Sequence, residues 1–408
     1  MDTGPAAPTT YAPAMDDAAV RAVGRLTTRW AARAVTGERG TVLTAAGVWP
    51  LLALLADGAG GPARAELAEA LGIPAGSAAR AARDLLGALA GVRGLEAATG
   101  LWTRAGLPLE EPWRALLPEG ARGVLSGDAE ADAGTLDAWA SERTGGLIER
   151  MPVAVRQDTL LVLASALALR LKWIRPFSPW CPELTEGPWA GREVSGLYRE
   201  TALLDRVRVA RTPAGPVTLL EVVGDTGVDV HLVLGEPEAA PGEVLATGIA
   251  AATRTIPATG ASLLPEGEPG PGLSIAAVAS SSREPRLSVK TVTFSVDADH
   301  DLLHQAGLFG LRSASDVRYG HFPGISATPL AVGSARQVAV ARFDAEGFEA
   351  AAVTTAGLAA GCAEPRLAYR VRHAEVRFHR PFGFVAVHRT SRLVLAAGWV
   401  NDPDIVSG

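Results

Sequence analysis

Cysteine is nearly absent from this chain of 408 residues: only Cys181 and Cys362 occur, so at most one disulfide can form, and the pair fits no metal or redox spacing. Stability therefore has to come from packing. Lysine is as scarce, with Lys172 and Lys290 the only two among 38 basic residues. Neither follows a glycine, which excludes a Walker-type phosphate loop and leaves Schiff-base chemistry only these two positions. Long apolar runs are missing as well. Val42 to Ala56 and Leu160 to Leu169 are the best candidates, and both fall short of the roughly 20 residues that span a bilayer. The first 22 residues carry acids and prolines with Arg21 as their only base, and no apolar run precedes a small-residue cleavage site, so no secretory signal is expected. An excess of positive charge is lacking too: the net charge is −6, which speaks against nucleic acid and anionic membrane as partners. H-E-x-x-H and G-x-S-x-G do not occur, and Gly58, Gly60 and Gly61 are followed by Pro62 without the dinucleotide fingerprint. Neither a metal nor a cofactor is expected.

What is present suits a large core. Hydrophobic residues make up 48% of the chain and charged ones 20%, far from the composition that keeps chains disordered. Residues 1–17 read as a flexible arm rich in Pro and Thr, with structure beginning after it. Val23, Leu26, Trp30 and Ala34 recur at helical spacing, and Ala63 to Leu71, Ser77 to Leu89 and Ala131 to Arg150 are further helical stretches, the last stopped by Met151-Pro152. Leu95 to Arg104 favours a strand. Thr159 to Leu171 is continuously apolar, which suits a strand covered on both faces, although a buried helix has the same pattern.

The second half is β-rich. Pro216 to Val223 and Val228 to Leu234 read as a hairpin, and Leu264 to Leu273 as a Pro/Gly-rich surface loop. Leu287 to Val296 and Gln337 to Phe343 look like strands, with a helix from about Asp301 to Leu308 between them. Val376 to Val387 and Arg392 to Val400 form a terminal hairpin. Helices early and strands late favour an α+β fold over alternating βαβ units. His300 and His304 beside Asp299 and Asp301 have a spacing that would put two imidazoles on one helical face, but a solvated helix start explains it more simply. Arg370, Arg372, Arg377, His379 and Arg380 read as the wet face of strands.

One segment stands apart: residues 344–362, DAEGFEAAAVTTAGLAAGC, are small, weakly charged and long enough for either an extended loop or a packed central strand. Here the chain resembles the serpin family, whose loop hinge of the form E-G-T-E-A-A-A-A-T is matched by Glu346-Gly347-Phe348-Glu349-Ala350-Ala351-Ala352-Val353-Thr354. Arg380-Pro381-Phe382 and Gly398-Trp399-Val400-Asn401-Asp402-Pro403 resemble the family's carboxy-terminal pattern. Ala138-Trp139-Ala140 with Thr144 and Gly146-Leu147-Ile148 is similar to its helix ending in T-x-G-K-I. Lys172-Trp173 with Pro176-Phe177 resembles its W-x-x-P-F, and Phe322-Pro323-Gly324-Ile325-Ser326 its F-S-G-I-S.

The resemblance implies an α+β serpin-like domain over residues 18–408, with about eight to nine helices around three β-sheets and an exposed reactive loop at about 344–374. It implies a monomeric inhibitor of serine endopeptidases, not an enzyme, that is cleaved as a suicide substrate and inserts its loop into the central sheet; the alternative is a non-inhibitory serpin fold that is a protease substrate or binds a ligand or partner. The family's register sets the reactive bond between Gly361 and Cys362. Counting back from Pro381 gives Leu367-Ala368 or Arg370-Val371, and Arg366 or Arg370 would suit a protease with an acidic primary pocket. Alternate hinge side chains become buried on insertion, which Ala350, Ala352 and Thr354 permit. Phe348 departs from this, since a benzyl group would need room in a packed interior at a cost of about 1–3 kcal/mol. Ala345 and Thr293 replace the family's ion pair. The sheet-opening region that the resemblance implies comprises Thr44, Gly47, Ser165, Trp173 and Gln337, where Thr44, Gly47, Ser165 and Gln337 stand for two serines, an asparagine and a histidine. An extracellular site follows from the resemblance, a cytoplasmic one from the missing signal.

Overall fold

Asp16 starts the first helix: its carboxylate accepts the Ala18 amide at 2.9 Å, and α1 (Asp17–Ala34) turns Val23, Leu26, Trp30 and Ala31 inward. The computed structural model describes residues 16–118, 120–153, 155–156, 159–348 and 367–405. After β1 (Thr41–Leu43) comes α2 (Ala45–Gly58), apolar on every side and buried along its length. The next elements are α3 (Gly61–Leu71), α4 (Ala75–Ala90), β2 (Leu95–Arg104), α5 (Glu111–Arg114), β3 (Arg122–Leu125), α6 (Ala129–Arg143), β4 (Leu161–Leu169) and β5 (Leu171–Lys172). Then come β6 (Ser178–Trp180), β7 (Gly196–Thr201), β8 (Val207–Thr212), β9 (Gly215–Val223), β10 (Val228–Leu234), α7 (Pro241–Ala252), β11 (Thr259–Gly260), β12 (Gly267–Gly270), β13 (Leu273–Ser280), β14 (Arg286–Val292) and β15 (Phe294–Asp301). The chain closes with α8 (Ala306–Phe309), β16 (Ser334–Phe343), β17 (Gly347–Phe348), β18 (Tyr369–Arg377), β19 (Phe382–His388) and β20 (Val394–Val400).

Three sheets and eight α-helices among the described residues make up the expected α+β architecture. One sheet runs β1-β20-β19-β10-β9-β8-β11, and a second runs β12-β13-β18-β14-β7-β6. The third has the order β3-β2-β4-β16, with β15 on the far side of β16 and with β17 and β5 continuing its upper end. Alternation along β4 explains its covering on both faces. Leu161, Leu163, Leu167 and Leu169 enter the main core, while Val162, Ala164 and Ala166 meet Leu136 and Ala140 of α6 and Trp102 of β2 on the other side. Thr159 to Leu171 is thus a strand region, and helix is excluded for it.

Several boundaries differ from those expected of the sequence. Leu287 to Val296 is divided at Thr293 between β14 and β15, which lie in different sheets. Helix α6 stops at Arg143, because Gly145 and Gly146 take positive φ of 58° and 85° right after its cap at Thr144, well before Met151-Pro152. The Pro/Gly-rich stretch near Leu264 includes β12, which pairs with β13. Asp301 to Leu308 is no continuous helix: His300 belongs to β15, Leu302–Gln305 is a 3-10 turn and α8 is a single turn. His300 and His304 therefore share no helical face. Val376 to Val387 is split between β18 and β19, which lie in different sheets, while β19 and β20 form the expected terminal hairpin.

His231 on β10 is fully buried, and neither ring nitrogen has a partner among the described residues. Burial is the first cause that lowers its pKa, to about 4, with Glu221 and Asp229 pulling it up and Arg208 and Arg392 pulling it down. The unfolded chain then binds more protons than the fold between about pH 6.5 and pH 4, so stability is full above that window and falls on acidification through it. His231→Leu is expected to flatten this acid limb, removing on the order of 3 kcal/mol of its pH dependence. Urea unfolding at pH 7, 5.5 and 4 checks it, and parallel curves for both proteins would refute it.

Candidate functional site

β4 and β16 lie side by side and parallel, paired from Val162 opposite Ser334 to Leu167 opposite Ala339. Past this seam the strands part, because the chain of β4 resumes as β5 while β16 runs on to Phe343. Into the gap fits β17: Gly347 pairs with Lys172, and Phe348 with Leu171 on one side and Phe343 on the other, antiparallel to both. The hinge residues Glu346, Gly347 and Phe348 thus begin a strand inside the sheet. A local turn fixes them, since Asp344 Oδ1 accepts the amides of Glu346 at 2.8 Å and Gly347 at 2.9 Å. Trp173 Nε1 donates to Asp344 O at 2.9 Å, and the Trp173 amide to Glu346 O at 2.9 Å. Gly347 is obligatory here, because a Cβ would come within 2.2 Å of Leu171 O.

Phe348 is 1% exposed, its ring 6.0 Å from that of Phe384. Room for the benzyl group therefore exists before any further strand enters, and the overpacking anticipated from the sequence does not arise at this residue. Around it, Phe343 stacks on Phe294 at 5.2 Å and meets Trp173 at 4.8 Å. Where the ion pair of the resembling family is lacking, backbone bonds hold the turn and the strand boundary. Phe177 N donates to Ala345 O at 2.8 Å, and Thr293 donates to Ser195 O and accepts from Asp404 N.

Further down, one polar row crosses four strands in register: Thr99 on β2, Ser165 on β4, Gln337 on β16 and His300 on β15. The Gln337 amide clamps the start of α2, its Oε1 accepting from Thr44 N at 2.9 Å and its Nε2 donating to Thr44 O at 2.7 Å. His300 Nε2 donates to Val42 O at 2.8 Å, and burial lowers the pKa of this imidazole. Gly47 leaves space for the Ser165 hydroxyl, which a Cβ would meet at 2.2 Å. The hydroxyls of Thr44, Thr99 and Ser165 have no partner among the described residues. Thr44, Gly47, Ser165 and Gln337, expected from the sequence, meet at this seam, whereas Trp173 lies at its upper end beside the hinge turn. Thr99 and His300 were missed in the sequence, although alternation along β15 was an available signal for His300.

Of the candidate reactive bonds, Gly361-Cys362 lies outside the described residues, as do Glu349, Ala350, Ala351, Ala352, Val353 and Arg366. Leu367 is 60% exposed. Arg370 and Val371 stand inside β18, opposite Ala279 and Val278 of β13, with Val371 only 7% exposed. A bond held in a ladder is not offered to a protease as a free extended segment.

Two substitutions test this arrangement. Phe348→Ala is expected to cost about 3–5 kcal/mol in denaturant unfolding of the uncleaved protein, as for a large buried aromatic; a loss below about 0.5 kcal/mol would mean that the ring is not seated. Gln337→Ala strands both polar groups of Thr44 and is expected to cost about 1–3 kcal/mol in denaturant unfolding, whereas Gln337→Glu sets a buried carboxylate oxygen against Thr44 O and should cost at least as much at pH 7, with the loss shrinking as acid protonates it.

The family model described as Serpin (serine protease inhibitor) matches residues 24–185 and 275–403. No curated protein matches the sequence. Among solved structures, the chain is similar to Serpin48, a highly specific serpin of the insect Tenebrio molitor, at 18% identity and TM-score 0.71, covering 95% of this chain and 99% of that one. It is also similar to the thermophilic serpin tengpin in its native state, at 13% identity and TM-score 0.75 over 96% of each chain. Human thyroxine-binding globulin in complex with its hormone aligns at 16% identity and TM-score 0.70, over 96% of this chain and 99% of that one. With the family model covering most of the chain and the seam, hinge and three sheets in place, the chain belongs to the serpin family.

Proposed function

We infer that this chain is a suicide-substrate inhibitor of serine endopeptidases. The observation that carries the reading is β17, whose two residues already form a strand at the head of the β4–β16 seam. Parallel pairs are slightly weaker than antiparallel ones, so a strand continuing β17 downward replaces one parallel contact with two antiparallel ones. The free energy released is available to drag a protease held by its acyl bond. Small residues follow Phe348 in the sequence, which suits entry between Ser165 and Gln337. The reactive bond is Gly361-Cys362, with Arg366-Leu367 as the alternative suited to an acidic primary pocket. Arg370-Val371 is disfavoured by its pairing with β13.

A second reading rests on a separate cavity of about 700 Å³ between α1 and α7. Val20, Leu71 and Ile249 give it an apolar lining, and Arg25, Arg29 and Arg392 a cationic rim. Thyroxine-binding globulin, which shares the fold, is described in complex with its hormone. A non-inhibitory carrier of an amphipathic anion is therefore the alternative. Roughly micromolar or tighter binding of thyroxine as probe, lost in Arg392→Ala, would favour it.

The inhibitor reading predicts two outcomes after limited proteolysis confined to residues 349–366. The thermal midpoint should rise sharply, and a panel of trypsin-like and elastase-like enzymes should include one that forms an adduct stable in SDS. Clean cleavage with an unchanged midpoint and no adduct would overturn the reading.

A further inference from the structure

Beyond β6 the chain leaves a cavity of about 550 Å³ against the ends of β14 and β18. Gly196 of β7 lets the turn out of β6 lie close, because a Cβ there would come within 2.5 Å of Trp180 O and 2.6 Å of Pro182 Cδ. Cys181, between these two residues, is a free, exposed thiol at the edge of the cavity. The loop that follows is held by the protein itself. Gly191 N donates to Leu184 O at 2.9 Å, and buried Trp189 donates from Nε1 to Asn401 O at 2.9 Å, so the cavity is preformed. Its lining carries both signs of charge. Glu183 and Glu186 stand exposed on the loop side, neither in an ion pair among the described residues. Lys290 and Arg377 come from the strands and share one carboxylate, Glu375, which leaves one of their two positive charges uncompensated. Burial is the first cause that lowers the pKa of His379, so this member of the lining is neutral at pH 7. Thr291, 2% exposed, borders the same cavity, and its hydroxyl has no partner among the described residues. A buried hydroxyl left in that state favours a polar occupant.

We propose that this cavity takes an amino-acid disulfide of the cystine class, which Cys181 opens by thiol–disulfide exchange. The ammonium groups of such a ligand complement Glu183 and Glu186, and its carboxylates complement Lys290 and Arg377; a ligand with one sign of charge satisfies only half of the lining. The Cys181 thiolate attacks one sulfur of the ligand, a bond between protein and ligand sulfur forms as the ligand's own S–S bond breaks, and the other half leaves as a thiol carrying the proton that Cys181 gave up. The ligand disulfide is itself the oxidant, so no further reagent enters the balance. Capture is reversed by any small thiol, which distinguishes the site from a plain amino-acid pocket. Since none of these residues lies in the hinge or the seam, the proposal stands apart from both readings of function given above.

The test uses the full chain carrying Cys362→Ser, which leaves Cys181 as the one thiol. Cystine, the cationic cystamine, the anionic dithiodipropionate and the uncharged hydroxyethyl disulfide are offered separately at neutral pH, and intact mass follows the mixed disulfide with time. Each rate is divided by that of the same protein unfolded in urea, which removes the differing reactivities of the reagents. After this correction cystine is expected to react at least about tenfold faster than any of the other three. Glu183→Gln combined with Glu186→Gln is expected to remove the advantage, and Lys290→Met to reduce it while Arg377 still holds Glu375. The exposed glutamates decide the matter should Lys290→Met fail to fold. Equal corrected rates for the four reagents, a preference for cystamine or dithiodipropionate, or a cystine advantage that survives the glutamine substitutions overturns the assignment.

Discussion

Two parallel strands in direct contact, with no third strand between them, form the constraint on which the rest of this molecule depends. β4 and β16 are the spine of the large sheet, yet they touch through only six register pairs, from Val162/Ser334 to Leu167/Ala339. Below the seam, α2 is apolar from Ala45 to Ala56 and presses Gly47 against Ser165; above it, the aromatic group of Trp173, Phe294 and Phe343 closes the upper end. Each of these features keeps the two strands together without making their union strong. The hydroxyls of Thr44, Thr99 and Ser165, without a partner among the described residues, carry the cost of buried polar groups that make no hydrogen bond.

The polar row shows how a family position can be refilled by different chemistry. Gln337 carries a donor group and an acceptor group on one rigid amide, and both engage the backbone of a single residue, Thr44. That places the link between sheet and helix on a residue that does not titrate. The ionisable member of the row is instead His300, one strand further out, where Trp30 packs edge-on at 5.0 Å and Val42 O accepts its proton. The link between sheet and helix is thereby separated from the group in the row whose charge depends on pH.

Much of this was legible in the sequence. The bounds read for β2, Leu95 to Arg104, are those of the strand. The terminal hairpin and the β9–β10 pair carried clear turn signals. The hinge was recognisable from Glu346-Gly347 and the alanines after it. What sequence could not supply was three-dimensional bookkeeping of space. Phe348 reads as an obstacle until Phe384, thirty-six positions away, is seen to form part of its pocket. The histidine pair read as a helical motif, because i,i+4 spacing is ambiguous where a strand ends and a 3-10 turn begins. Nothing local in Leu264 to Ser280 announced that β13 would line the far edge of β18, since that pairing joins segments almost a hundred residues apart.

The scarcity of lysine gains a practical meaning from the fold. Lys172 sits exposed on β5, directly opposite Gly347, while the other lysine is engaged with Glu375 and lies over the Trp180 ring. A side-chain amine reagent therefore has one open address, and it is the strand that flanks the hinge. A fluorophore attached there would sit beside the Gly347–Lys172 pairing, and under the inhibitor reading it would report optically on a strand that grows from that point.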